Sequence, residues 1–553
     1  MDIRVISSLR KVFPDETGDL PMISGDIAAR NEIYSFQVAV RRSAGEVSDG
    51  YRVEVSTDSG LAVELRLVEA VASRLPAGDQ PPDDDQLRTK PGLFPDLLTP
   101  LEHGRFSVCH DQWNVLWCTV RIGGATPGTY PVRFSFARTD DKDSRRNCGL
   151  GEAEFTLDVL DFELPPQKLL RLEWLHCDCL SAWYAVPAWS EEHWRIVGNF
   201  MRNAFGHGIN VLYTPLWTPP LDTEPGGERP TCQLLEIERL ADDTFRFDFS
   251  RLERWIDLAR ETGFESFAMS HLFTQWGAGF SPKIIVRQEG RGEFRLFGWD
   301  VPATDPRYRR FLTALMPRLL EFLRRKGIGP DRCFFSVSDE PELKQFDSYR
   351  AAAELARPLL EGYPTLEALS NYEFFRFGLV DIPVPANDHI EPFVGKVSRR
   401  WSYYCACQQR QVPNRFFSMP PRRERMMGVL SYVYDLDGFL HWGYNFYFSQ
   451  FSRRLLDPFQ TTDAGGVFPS GDSFLVYPGR DGNALDSIRH EIFREGLQDL
   501  RALRLLERKL GRTRTLEVIQ EGLATPIRMD HYPRSDQWLV NQRKRIYRLL
   551  LES

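Results

Sequence analysis

Ser338-Asp339-Glu340-Pro341 places two adjacent carboxylates after a short apolar run, Cys333-Phe-Phe-Ser-Val337, that reads as a buried strand. Burying two charges has a cost that needs a purpose. The end of a buried parallel strand is where α/β barrels hold their reactive groups. One member of the pair can donate a proton while the other stabilises developing positive charge, which is the chemistry of glycosidic bond cleavage. The competing structural reading is a helix start, with Ser338 or Asp339 as cap and Glu340 and Pro341 in the first turn.

The ends of the other predicted strands carry polar and aromatic side chains too. The first ends Glu173-Trp-Leu-His-Cys-Asp178, and the second runs into Thr214–Thr231 with Asp222, Glu224 and Arg229. The third runs into Ser270-His-Leu-Phe-Thr-Gln-Trp276 and the fifth ends Ser370-Asn-Tyr372. The seventh is Trp401-Ser-Tyr-Tyr404 and the eighth leads through His441-Trp-Gly-Tyr-Asn-Phe446. Packing alone does not require polar groups at so many strand ends, whereas a concave sugar site does. Trp174, His176, Asp178, Asp222, Arg229, His271, Gln275, Trp276, Asn371, Tyr404, Trp442 and Asn445 are therefore candidates for substrate contact. Two of them have structural alternatives: His271 as a satisfied core histidine, and Arg229 as a loop brace paired with Asp222 or Glu224.

Glu340 is the candidate general acid, its pKa raised by burial and by Asp339. Trp401–Gln408 on strand seven offers no Asp or Glu as a nucleophile. That favours assistance by a 2-acetamido group of the sugar, with Asp339 holding its N–H. An inverting scheme with Asp178, Asp222 or Glu224 as the base is the alternative, as is a barrel that binds carbohydrate without cleaving it.

The elements that must position these residues fall into three parts. Residues 1–165 alternate in short β segments, such as Ser35–Val40 and Val115–Arg121, and predict an antiparallel sandwich. Ala77–Asp96 reads as a long surface loop, Asp140–Glu152 as a charged turn and Leu160–Pro166 as a linker. Residues 166–510 alternate strand and helix and predict a (β/α)8 barrel. The helices include Glu191–His207 capped by Ser190, Phe249–Thr262 ended by Gly263, Pro306–Lys326 and Leu343–Glu361. Residues 511–553 form a C-terminal helical extension to a tail that is helical from Ser487, with Ile488, Ile492 and Leu497 on one apolar stripe.

The chain has 553 residues, 42% hydrophobic and 26% charged, with net charge −8 and no basic stripe. That excludes a nucleic-acid binder, and the absence of a long apolar run excludes a membrane span. The N-terminal stretch lacks the apolar core of a signal peptide, so a cytoplasmic location is expected. Nine scattered cysteines fit free thiols rather than a disulfide framework. Cys177/Cys179 and Cys405/Cys407, both placed on predicted strands, raise a four-thiolate zinc site as an alternative, although the spacing is not the usual one. No cofactor and no metal are expected, and oligomeric state has no signature here.

Thr218-Pro-Pro-Leu-Asp-Thr223, Ser338-Asp-Glu-Pro341, Gly438-Phe-Leu-His-Trp-Gly443, Tyr477-Pro-Gly479 and Ser487-Ile-Arg489 resemble the bacterial family labelled domain of unknown function 4091. That family is similar to glycoside hydrolase family 123, the β-N-acetylgalactosaminidases. The resemblance spans roughly residues 165–510. It implies a sandwich followed by a (β/α)8 barrel, and a sugar-cleaving enzyme with Glu340 as acid and Asp339 assisting the acetamido group.

Overall fold

The computed structural model describes residues 1–42, 51–109, 111–139 and 148–552. Two five-stranded sheets form the N-terminal part. One contains Ile33–Arg41 paired antiparallel with Asn114–Arg121, in the register Phe36 to Cys118 and Val38 to Leu116. The other contains Gly128–Thr139 paired antiparallel with Cys148–Leu160. Inward side chains of both sheets share one core, with Phe36 stacked on Phe155 at 4.2 Å. One pairing departs from the antiparallel expectation, because Gly25–Ala29 runs parallel to Thr156–Leu160.

Of the turn expected over Asp140–Glu152, residues 140–147 lie outside the described residues, and the remainder is strand. The expected surface loop Ala77–Asp96 is also revised. Its end is the strand Gly92–Pro100, in which Asp96 is fully buried. Its middle is tied down by Asp83 on Arg423 and Asp85 on Arg422. Acidic residues that read as a surface loop are therefore partners of the buried Arg423 and the partly buried Arg422.

Eight short strands follow, each pairing parallel with its neighbours. In chain order they are Leu170–Glu173, Val211–Thr214, Ser266–Met269, Cys333–Phe334, Leu366–Ala368, Ile382–Val384, Trp401–Tyr403 and Gly438–His441. Six form one sheet in the order four, three, two, one, eight, seven, while five and six form a two-stranded sheet. Isolated parallel bridges join Phe335 to Thr365 and Ala386 to Tyr403. The helices arise where the apolar spacing and caps place them. Ser190 accepts from the His193 N–H at the start of Glu191–Gly206, and Gly263 ends Ser250–Thr262 in the left-handed conformation that glycine tolerates. Two hairpins in the loops after strands two and three build an unpredicted four-stranded sheet from Glu236–Arg239, Phe245–Asp248, Ile284–Gln288 and Gly292–Phe297.

The long helix Ile488–Leu510 joins the parts. Ile488, Ile492 and Leu497 are buried as the stripe predicts, but so are Arg489, His490, Glu491, Glu495 and Asp499. Its polar residues face two neighbours. Toward the sandwich, Arg489 grips both oxygens of Asp96 at 2.8 Å, and Gln498 exchanges two hydrogen bonds with the Ile33 backbone. Toward the helix Pro421–Val433, Glu495 and Asp499 hold Arg425. The two helices meet at glycines, since a Cβ on Gly428 would lie 1.9 Å from the Gly496 carbonyl oxygen. Helices Arg512–Gln520 and Asp536–Glu552 complete the tail.

Asp96→Ala should leave Arg489 buried and uncompensated. A loss of about 3–5 kcal/mol is expected, read from the urea unfolding midpoint.

Candidate active site

The C-terminal ends of the parallel strands open into a cavity with about 820 Å³ of empty space, its solvent-filled mouth included. Asp339, Glu340, Asp222 and Asp472 supply its carboxylates, and Trp174, Trp276, Tyr403, Trp442 and Phe468 its aromatic walls.

The Asp339–Glu340 pair is held by backbone. Glu367, on strand five, accepts from the N–H groups of Val337 and Ser338 at 2.9 and 3.0 Å and from the Tyr349 hydroxyl at 3.2 Å. The Ser338 hydroxyl donates to the Thr274 carbonyl, the Trp276 N–H donates to the Asp339 carbonyl, and the Glu340 N–H donates to the Ala368 carbonyl. Glu340 sits at φ 43°, a left-handed conformation unfavourable for a residue with a side chain. The helix-start alternative fails on this geometry. The next helical turn is Leu343–Gln345, and Glu342 caps it. Ser338 and Asp339 are free of capping duty.

Burial, and then the charge of Glu340, push Asp339 well above the ordinary carboxylate range. Burial also raises Glu340, against the hydrogen bonds it accepts from the Tyr403 hydroxyl at 2.5 Å and the Cys405 thiol at 3.9 Å. These two donors favour the ionised form of Glu340, so of the pair Asp339 keeps its proton more readily. Burial lifts Asp222 to about 6 and Asp472 to about 7.

Trp174, His176, Asp222, Gln275, Trp276 and Trp442 line the cavity. The other expected contacts lie behind it. Tyr404 is fully buried against Phe439 and His441, and it is Tyr403 that faces Glu340. Asn371 caps the helix Tyr372–Arg376 by accepting from Glu373. Asn445 clasps the backbone of His176 at 2.8 and 3.1 Å. His271 bonds the Tyr213 hydroxyl and packs edge-on against Trp174, the core role set out as its alternative. Arg229 is a brace, but for a different partner: it holds both oxygens of Asp178 at 2.8 and 2.9 Å and donates to the Leu221 carbonyl and His176 Nδ1. Beside that guanidinium and buried, His176 is lowered to about 3 and is neutral, and its Nε2–H donates to the Trp442 carbonyl. Glu224 pairs at the surface with Arg453.

Sequence reasoning missed Tyr403, Cys405, Cys407, Phe468 and Asp472. Asp472 lies on the loop Pro469–Ser473, beyond any strand, where no periodicity marks it. It accepts from the Trp442 indole N–H at 3.0 Å, and so fixes a cavity wall. The cysteine pairs are not on strands either. Cys177 and Cys179 lie in the helix Cys177–Trp183, and Cys405 and Cys407 follow strand seven in a turn. Among the described residues the only cluster with metal-ligand spacing is His207, Asp486 and His490, so the four thiols do not converge on a zinc site.

The family model for the glycoside hydrolase 123 catalytic domain matches residues 174–506. A family 123 glycoside hydrolase from Clostridium perfringens, described in terms of glycolipid glycan hydrolysis, superposes with a TM-score of 0.76 at 15% identity, over 100% of this chain and 98% of that one. An endo-β-1,4-mannanase from Thermotoga petrophila reaches a TM-score of 0.33 at 14% identity, over 61% of this chain and 77% of its own. No curated protein matches the sequence. Catalytic-domain match and fold together define a carbohydrate-cleaving enzyme, a glycosidase. The chain belongs to glycoside hydrolase family 123.

Glu367→Ala should strip the acceptor from two buried N–H groups, at about 1–3 kcal/mol each. A lowered calorimetric melting temperature is expected, together with a fall in turnover as the Asp339–Glu340 turn loosens.

Proposed function

We propose that the protein releases a β-linked N-acetylhexosamine, N-acetylgalactosamine-like, from an oligosaccharide by retaining, substrate-assisted catalysis. The observation that carries this reading is the Asp339–Glu340 pair facing an aromatic-walled cavity, with Tyr403 and Cys405 as the side chains that hydrogen-bond Glu340. Glu340 protonates the glycosidic oxygen. As that bond breaks, the acetamido carbonyl oxygen attacks the anomeric carbon to give an oxazolinium ion. Asp339 accepts the acetamido N–H and stabilises the positive charge. Water then opens the ring from the opposite side, and the Glu340 carboxylate takes its proton.

This scheme needs the proton on Glu340 and the charge on Asp339, the reverse of the preference set by their surroundings. The substrate supplies the reversal. Its N–H stabilises the Asp339 carboxylate, and the shared proton passes to Glu340. A substrate lacking the acetamido group provides neither the nucleophile nor this proton shift.

The inverting alternative is narrowed by the cavity. Of its three candidate bases, Asp178 is locked to Arg229 and Glu224 is at the surface with Arg453. Only Asp222 lines the cavity, with Oδ2 accepting from the Phe451 N–H at 3.0 Å. We read the eight strands as a (β/α)8 barrel, a reading that the parallel bridges between the two sheets support. The domain division proposed with it is a sandwich over residues 1–165, a catalytic domain over 166–510 and a helical extension over 511–553. By its likeness to the Clostridium perfringens enzyme, a glycolipid glycan is the natural substrate class to try first.

Aryl β-glycosides of N-acetylgalactosamine, N-acetylglucosamine, galactose and glucose test the mechanism side by side. Only the N-acetyl sugars should be cleaved. Glu340→Gln should lose about 10²–10⁴-fold in kcat, and Asp339→Asn should lose turnover comparably. Equal cleavage of the 2-hydroxy sugars would rule the assisted mechanism out. Tyr403→Phe removes a donor from the Glu340 carboxylate and so raises its pKa further. The general acid must be protonated, so the alkaline limb of kcat/KM should move to higher pH. An unmoved limb would assign it to another group.

A further inference from the structure

The cavity holds two nucleophilic groups that glycosidic cleavage does not use. Cys405 and Cys407 both line it, with one residue between them in the chain. They sit in a tight turn closed by the Gln408 N–H donating to the Cys405 carbonyl at 3.2 Å. Gln408 also accepts from the Cys405 N–H at 3.0 Å and from its thiol at 3.4 Å. Residues two apart in such a turn have Cα atoms within the span that a disulfide bridges. Cys407 is exposed and Cys405 partly so. Among the other free cysteines described, only Cys109 is exposed, and it lies in the sandwich.

The Cys405 thiol reaches Glu340 Oε1 at 3.9 Å, so any change at this pair is felt at the carboxylate assigned as acid. We propose that Cys405 and Cys407 form a modification site, at which hydrogen peroxide joins them in a disulfide that withdraws the Cys405 thiol from Glu340 and reversibly stops turnover. The inference rests on the reading of Glu340 as the catalytic acid.

The chemistry balances in two steps. Cys407 is the more exposed of the two, and the neighbouring Cys405 thiol holds it below the ordinary thiol range, making it the attacking sulfur. Its thiolate attacks one peroxide oxygen, the O–O bond breaks, and the leaving hydroxide takes up the Cys407 proton as water. That leaves Cys407 as a sulfenic acid. The Cys405 sulfur then attacks Cys407, the S–O bond breaks, and the second hydroxide leaves as water with the Cys405 proton. Two thiols have lost two electrons and the peroxide has gained them.

The tryptic peptide Trp401–Arg410 contains both cysteines and no other. After brief hydrogen peroxide treatment it should be lighter by two hydrogens. Aryl-glycosidase activity should fall tenfold or more, and a dithiol reductant should restore both. Cys407→Ser, compared with its own untreated rate, should show neither response, whereas Cys109→Ser should respond as the parent does. Two free thiols persisting in that peptide after oxidation would overturn the proposal. So would a disulfide formed with no change in rate, or a reversible loss that survives in Cys407→Ser. If the untreated protein cleaves no glycoside, the catalytic reading is what fails. The peptide mass, with a reductant-reversible change in emission from Trp276 and Trp442 at the cavity, then decides the thiol pair alone.

Discussion

Arg415 is the side chain on which the catalytic half depends. Fully buried, it spends its planar fork of donors on five acceptors. One nitrogen donates to Glu173 on the first strand at 3.0 Å, and another to His441 Nδ1 on the last strand at 2.7 Å. The carbonyls of Gly443, Gly471 and Asp472 take the rest. Glu173 is shared with the buried Arg171, so one carboxylate lies between two guanidiniums. That cationic surroundings, added to burial, holds His441 well below its ordinary range and hence neutral. Its Nδ1 accepts from Arg415 and the Gly443 N–H, while Nε2 lies 3.4 Å from Asp472 without a hydrogen bond to it. Asp472 in turn fixes Trp442 and gives its carbonyl to Arg415. A wall of the sugar cavity is thus anchored through Asp472, Arg415 and Glu173 to the first strand.

Around the cavity mouth the backbone is strained as well as anchored. Asp222, Trp276, Glu340, Phe451 and Ser452 all have positive φ. Such conformations persist only where neighbours over-determine them. Here the Phe451 N–H and the Ser452 hydroxyl bind Asp222, and the Phe451 ring packs edge-on against Trp276. Loops from the second, third and eighth strands hold one another in place around the Asp339–Glu340 pair.

The Asp339–Glu340 pair and the order of strands and helices were legible because apolar runs and caps are local signals. Ser190, Gly263 and the stretch Pro306–Arg325 sit as their spacing dictates. Tyr403 and Tyr404 mark the limit. Neighbouring residues on a strand point to opposite faces, so a choice between adjacent tyrosines needs a register that only the paired strand supplies. Asp472 was invisible for a different reason: its role comes from a loop folding back onto His441 and Trp442. Arg229 and the acidic run Asp83–Asp85 were misread because partner choice among charges is settled in three dimensions. The alternating segments Glu236–Arg239 and Ile284–Gln288 carried a strand signal, but a short one amid long loops.

The contact of Gly428 with Gly496 bears on how the protein can have been assembled. Helix Ile488–Leu510 lies close enough to the catalytic half to touch it backbone to backbone, while its opposite side carries the charges that the sandwich neutralises. It is a shared layer rather than a connector. Cut free of the sandwich, the catalytic half would lose Asp96 from Arg489 and Arg66 from Glu491. The two parts are thus one inheritable and cooperative unit: the sandwich cannot be exchanged for another module unless the outer face of that helix is rewritten at the same time.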